Sequence, residues 1–242
     1  MPSFQYGNTA LEYSLEVKPD KRDISISVEW LDGVRVIVPE GVEEDQLHSI
    51  LYKKAPWILN KWNSFQEIVD PPLPKEYVSG EKFAYLGRNY RLKVHKRDDI
   101  TQSTLVFKQG KFIANVPSSY ADQEKNHELY ELFKEWYKLH GEAKIKERLN
   151  IYCPKMGLSP SKIELKEQKM RWGTCTGDNA IYLNWRIVMA PLVIVDYLLV
   201  HELAHIKYPN HSKEYWQLVH SIMPDYEQRK EWLRINGPTL SL

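Results

Sequence analysis

The chain has 242 residues, 43% of them hydrophobic, and a formal net charge of +1. This length allows one large domain or two smaller ones, and the near-zero charge gives no global attraction to nucleic acids or membranes. Only two cysteines occur, Cys153 and Cys175, in no paired motif, which argues against a disulfide scaffold. The first residues do not resemble a signal peptide, and no apolar run reaches membrane-spanning length. We therefore expect a cytoplasmic protein without a membrane partner.

The first 70 residues combine strand and helix patterns. Apolar and polar residues alternate in three segments, at residues 11–18, 24–30 and 34–38. This period of two predicts a three-stranded meander with one apolar face. Two helices are predicted to follow, at residues 42–53 and 56–69.

A proline-rich segment at residues 70–74 separates this part from a second set of predicted strands. These strands are short and lie between residues 83 and 116. We predict that residues 1–118 form a β-rich amino-terminal region with a candidate sub-boundary at residues 70–75. The sequence shows no internal repeat.

The second half of the chain is predicted to be mainly helical. A long helix is expected at residues 121–151, and a hairpin turns at residues 176–179. A helix beginning at Pro191 is apolar on nearly every side, and two more helices follow it. We therefore predict an α+β protein in which residues 119–242 form the domain that carries the function.

The most informative residues lie in the helix after Pro191. His201 and His205 are four residues apart, so they project from one helix face and can reach the same metal ion. Glu202 directly follows the first histidine, which is the position of the general base in the H-E-x-x-H motif. His211 offers a third imidazole six residues later. Three neutral imidazoles leave an open position on zinc, where a bound water has a pKa of roughly 7.

The motifs around this helix resemble those of the YgjP-like metallopeptidase family, which is related to SprT-like and WLM-type zincins. The resemblance covers residues 169–226 most strongly and rests on six segments, at residues 171–175, 181–186, 190–191, 201–205, 210–216 and 224–226. It implies a minimal zincin-like catalytic half with an active-site helix and an edge hairpin. It also implies a zinc peptidase whose ligands are His201, His205 and His211 and whose base is Glu202.

Other residues near the motif have two interpretations each. Cys175 is either a zinc-binding thiolate or a small buried strand residue. Arg171 and Arg186 either bind substrate or fix the hairpin through hydrogen bonds. Three side chains are candidates for stabilising the tetrahedral intermediate: Tyr208, Tyr215 and His220. Gly173 either lets an extended peptide dock on an edge strand or only bends the hairpin.

The function predicted from the sequence is hydrolysis of peptide bonds in a peptide or protein substrate. Two alternatives remain open. The first is a protease recruited to DNA, as in the related SprT-like proteins. Its only support in the sequence is the mixture of lysines and tryptophans at residues 53–62, which also fits a solvated helix face. The second is a non-catalytic, zinc-stabilised binding module, and Glu202 argues against it because a structural zinc site needs no base.

Overall fold

The structure is a computed structural model, and it describes residues 2–31, 33–66, 74–168 and 171–242. The chain divides into two units. The first consists of Met1–Asp70 with Gln168–Thr174, and the second of Pro71–Glu167 with Cys175–Leu242. The sequence predicted a different division, into domains at residues 1–118 and 119–242, and that division stays a prediction. Most of the predicted proline-rich linker, residues 70–73, lies outside the described residues.

The first unit contains one sheet and one long helix. Its strands are β1 (Ser3–Tyr6), β2 (Thr9–Val17), β3 (Ser25–Glu29) and β4 (Gly33–Val38), in the order β1-β2-β4-β3. The predicted meander is wrong, because β2 and β4 are parallel neighbours and β1 is an additional strand. The two predicted helices form one helix, α1 (Glu44–Gln66), which continues through Pro56. The buried residues of the core come from both the sheet and the helix: Phe4, Leu11, Tyr13, Val28, Val34, Val36, Val38, Leu47, Leu51, Ala55 and Ile58.

The second unit begins with a sheet of the same connectivity. Its strands are β5 (Lys82–Tyr85), β6 (Arg88–Arg97), β7 (Thr104–Lys108) and β8 (Lys111–Pro117), in the order β5-β6-β8-β7. The central pair β6 and β8 is again parallel, and both outer pairs are antiparallel. The helix α2 (Asp122–Met156) follows, close to the predicted residues 121–151.

These two regions are a structural repeat, which we call the first module (residues 3–66) and the second module (residues 82–156). Equivalent strand positions lie 78 or 79 residues apart, as Phe4 and Phe83 or Val34 and Phe112 illustrate. The same spacing relates the buried positions of the two helices. Leu51, Ala55 and Ile58 of α1 correspond to Leu129, Phe133 and Trp136 of α2. The repeat was missed in the sequence because the two modules share few identical residues.

The rest of the second unit is built after α2. Its elements are β9 (Lys162–Lys166), the end of β10 (Gly173–Cys175), β11 (Ala180–Asn184), a 3-10 helix (Trp185–Met189), α3 (Leu192–Lys207), α4 (Lys213–Ile222) and α5 (Tyr226–Asn236). β11 pairs in parallel with β9. The turn predicted at residues 176–179 is confirmed, since the backbone N–H of Thr176 donates to the carbonyl oxygen of Ala180 at 2.9 Å.

The fold class is α+β, as predicted, with a β-rich amino-terminal half and a helical carboxyl-terminal half. The described part of the chain contains five α-helices and three small sheets. None of the helices in that part is both long enough and apolar enough to cross a membrane.

Candidate metal centre

The helix α3 carries the predicted motif through the core of the second unit. Every residue at positions 194–204 is buried, and His201 and Glu202 have no exposed surface. A helix that is apolar on nearly all sides can be stably buried only when its polar residues have partners. The buried polar residues of α3 are Asp196, His201 and Glu202, and they therefore need partners.

The start of α3 is held by the β5–β6 hairpin of the second module. The backbone N–H groups of Leu86 and Gly87 donate to the carbonyl oxygens of Val188 and Met189, at 2.8 and 3.2 Å. A Cβ atom on Gly87 would lie 2.8 Å from the Cα atom of Pro191, directly before α3. Only glycine fits this approach, which therefore fixes where α3 begins.

An ion pair connects the long helix α2 to α3. Arg148 donates through Nε and Nη2 to the two carboxylate oxygens of Asp196, at 2.7 and 2.8 Å. The side chain of Asp196 is only 6% exposed. Such a fork-shaped contact fixes orientation as well as distance. The sequence prediction did not include this pair, although an aspartate inside an apolar helix indicates that a positively charged partner lies nearby.

The three predicted histidines come together at the end of α3. One ring nitrogen from each of His201, His205 and His211 lies within 4.8 Å of the other two. The Nε2 atoms of His201 and His211 are 3.4 Å apart. The Nδ1 atom of His205 lies 3.1 Å from the carbonyl oxygen of Tyr208. A proton on that Nδ1 would be donated to the carbonyl and would leave Nε2 available to a metal.

Tyr215 of α4 packs in the middle of this cluster. Its ring centroid lies 4.6 Å from that of His205 and 4.8 Å from that of His211. Its hydroxyl donates to the backbone carbonyl of His201 at 2.9 Å, and the residue is fully buried. This bond ties α4 to the motif helix, which does not favour Tyr215 as the group that stabilises a tetrahedral intermediate.

Glu202 and Cys175 belong to the same unit as the histidines. The burial of Cys175 and the nearby charge of Glu202 raise the pKa of the thiol to about 12. The raised pKa disfavours the thiolate in the metal-free protein. Cys175 also lies outside the group of side chains whose donor atoms converge. Its environment favours the interpretation of a small residue in a strand.

A model of the YgjP-like metallopeptidase domain matches residues 22–236. The chain belongs to the YgjP-like metallopeptidase family. No curated protein and no solved structure matches it. The resemblance inferred from the sequence is therefore confirmed, and the match extends over most of the chain. Membership makes the chain a metallopeptidase, a hydrolase that uses a metal ion and acts on peptides.

Several other polar residues of this YgjP-like chain have structural partners. Arg186 pairs with Glu167 and lies over the ring of Trp185, whose Nε1 also donates to Glu167 at 2.8 Å. His140 stacks on Trp136 with 4.0 Å between ring centroids. These contacts agree with the interpretation that Arg186 fixes the local structure.

The remaining candidates from the sequence have different surroundings. Arg171 is buried in the first unit, and its Nη1 lies 3.4 Å from Oγ1 of Thr174. Tyr208 directly follows α3 and is half-buried, whereas His220 is exposed on α4 with its ring plane at 85° to that of Tyr226. Gly173 is buried, and the predicted docking of a peptide on its strand stays a prediction. The docking strand is predicted at residues 169–175, of which Lys169 and Met170 lie outside the described residues.

Proposed function

We propose that this metallopeptidase is zinc-dependent, with His201, His205 and His211 as ligands and Glu202 as general base. The observation that carries the proposal is the convergence of the three ring nitrogens within 4.8 Å, with buried Glu202 beside the first of them in the chain. Three protein ligands plus one open position is the arrangement of catalytic zinc sites, whereas structural zinc sites have four protein ligands.

The spacing of the ring nitrogens supports zinc as the metal. Two nitrogens that each lie about 2.0–2.1 Å from one tetrahedral zinc ion are separated by about 3.3–3.4 Å. The Nε2 atoms of His201 and His211 are 3.4 Å apart. A donor set of neutral imidazoles also suits zinc, and no fourth ligating side chain joins the group among the described residues. The spacing of this pair therefore suits a shared zinc ion, whereas the three ring nitrogens together lie within 4.8 Å of one another and would have to draw closer around it.

The protein residues would divide the chemistry of peptide hydrolysis between them. When bound, zinc supplies a Lewis acid that polarises the scissile carbonyl and makes water acidic. Glu202 accepts the proton from the attacking water and then delivers it to the leaving amine. Its buried position, one residue after His201 in α3, suits this role, because a fixed carboxylate needs little reorganisation during proton transfer. Tyr215 keeps His201 in register through its bond to the backbone of α3.

The proposal can be tested by combining metal analysis with peptide cleavage. Purified wild-type protein supplied with zinc should contain about one zinc ion per chain, and His205→Ala should contain none at ordinary zinc levels. His48→Ala in α1 is the matched histidine control and should keep the metal. A wild-type protein that takes up no zinc would contradict the ligand assignment.

A second variant tests the base. Glu202→Gln keeps the shape of the side chain but cannot accept the proton, so it should retain zinc and lose about 100- to 10,000-fold in turnover. Glu135→Gln, an exposed glutamate of α2, is the control and should cleave peptides from a library at the wild-type rate. A zinc-loaded Glu202→Gln variant with wild-type turnover would exclude Glu202 as the base.

A further inference from the structure

The third histidine of the cluster needs support that the other two do not. His201 and His205 lie on α3, whose backbone fixes their positions. His211 lies in the loop between Lys207, the last residue of α3, and Lys213, the first residue of α4. A loop backbone restricts a side chain less than a buried helix does. The orientation of the His211 ring therefore depends on what packs against it.

Two consecutive aromatic residues of α4 pack against that ring from different directions. Trp216 stacks on His211 with 5.3 Å between ring centroids and 19° between the planes. Tyr215 approaches with its plane at 87° to that of His211. A stacked ring limits tilting of the imidazole and a perpendicular ring limits its rotation. Together they restrict His211 to a narrow range of orientations.

We propose that Trp216 is a positioning residue that holds the imidazole of His211 in its metal-binding orientation. This inference rests on the proposed zinc site and adds a residue that sets the affinity of that site. Trp216 is not itself a metal ligand, because its indole nitrogen carries a hydrogen and only donates hydrogen bonds. Its effect is to keep the ligand preorganised, so that less side-chain entropy is lost when the ion binds.

Trp216 is itself fixed, as a positioning residue must be. Tyr226, at the start of α5, stacks on it with 5.1 Å between centroids, and Nζ of Lys230 lies 4.6 Å from its ring centroid. The same helix is attached to α3, because Arg229 donates to the backbone carbonyl of Val193 at 3.1 Å. A closed series of contacts therefore runs from α3 through α5 and Trp216 to His211.

The test is zinc affinity, measured by competition with a chelator of known affinity. Trp216→Ala should weaken zinc binding by about 10- to 100-fold, the range found when residues that orient metal ligands are removed. Trp216→Phe keeps an aromatic ring and should stay near the wild-type affinity, whereas Trp216→Leu fills similar space without a ring and should resemble alanine. The Phe and Leu variants provide the comparison if the alanine variant does not fold.

Trp232→Ala controls for the loss of a large side chain. Trp232 is half-buried in α5, and its ring stacks on none of the three histidines among the described residues. This variant should lower the unfolding temperature of the metal-free protein but leave the zinc affinity unchanged. Equal affinities for the Phe and Leu variants, or an equal loss of affinity in Trp232→Ala, would overturn the positioning role. A wild-type protein without zinc affinity would overturn the metal site as well, so the two failures are distinguishable.

Discussion

The two modules have the same strand order and the same buried helix positions, yet only the second belongs to the unit that contains the candidate metal centre. The difference begins at their first hairpins. In the second module the turn at Leu86 and Gly87 bonds to the segment before α3. In the first module the equivalent turn at Gly7 and Asn8 is exposed, and a Cβ on Gly7 would have no atom within 4 Å. A shared fold thus becomes functional through what is packed onto it.

The helices of the two modules differ in the same way. Within the described residues, α2 has 35 residues and α1 has 23. At Gly141 of α2 an added Cβ would lie 2.7 Å from the side chain of Val188, so the 3-10 helix before α3 packs directly on the α2 backbone. The equivalent residue of α1, Asn63, is exposed. α2 also supplies Arg148, which donates to Asp196 of α3.

The largest difference should appear in the free energy of unfolding when the ion pair of one arginine in each module is broken. Asp196→Ala leaves Arg148 without its partner in a mostly buried site, so we expect the free energy of unfolding to fall by about 3–5 kcal/mol. Glu16→Ala removes the more exposed partner of Arg35 in the first module and should cost less than about 1 kcal/mol. Urea unfolding of both variants measures the difference. Similar losses of unfolding free energy in the two variants would show that the Arg148–Asp196 pair stabilises the protein no more than an exposed ion pair does.

Each of the two hairpin turns contains one glycine, Gly7 at the first position of its turn and Gly87 at the second, so both turns can be tested by substitution. Both glycines have a positive φ, 57° at Gly7 and 77° at Gly87, so alanine is strained by about 1–2 kcal/mol at either position. Only Gly87→Ala also collides with backbone, at the Cα atom of Pro191, so its total cost should be about 3 kcal/mol. Thermal or urea unfolding tests this ranking. If Gly7→Ala proves as costly as Gly87→Ala, the close approach to Pro191 is not what distinguishes the turns.

Zinc should stabilise the helices around the candidate metal centre, α3 and α4, more than α1 of the first module. At a free zinc concentration of 100 times Kd, binding adds about 2.7 kcal/mol to the stability of the state that holds the ligands. Amide hydrogen exchange should therefore slow more in α3 and α4 than in α1, since all three proposed ligands lie on α3 and the following loop. A chelator should reverse the effect. Equal protection of α1 would show that zinc acts on the whole chain instead.

The smallest expected effect is the binding of nucleic acid to the first module. α1 exposes Trp57 (46% exposed) close to Lys53 and Lys54, a combination that some single-strand-binding surfaces share. The net charge of +1 is too low for strong non-specific affinity, so we expect little or no DNA binding at physiological salt. Fluorescence anisotropy of labelled single-stranded DNA over a salt series tests this. Tight binding that weakens steeply with salt and disappears on replacing Lys53 and Lys54 by alanine would favour a protease recruited to DNA.

Local patterns predicted some elements of the fold well and others poorly. The boundaries of α2 and the turn at residues 176–179 were close, because helix periodicity and turn residues act over short distances. The meander was wrong because alternation shows which residues face the core but does not show which strands pair. The break expected at Pro56 is absent, because burial of Leu51, Ala55 and Ile58 stabilises α1 on both sides of the proline.

The sequence by itself determined the family and the residues of the candidate site. His201 and His205 lie one helical turn apart, so helix geometry alone puts them on one face; Glu202 adjoins His201 in the chain, and His211 follows within one loop. Tertiary structure decided everything that depends on contacts across long separations. The pairing of β2 with β4, the bond from Arg148 to Asp196 and the approach of Gly87 to Pro191 join residues that no local pattern connects. Such contacts are selected by the packing of the whole core, and a local pattern carries no information about the distant partner.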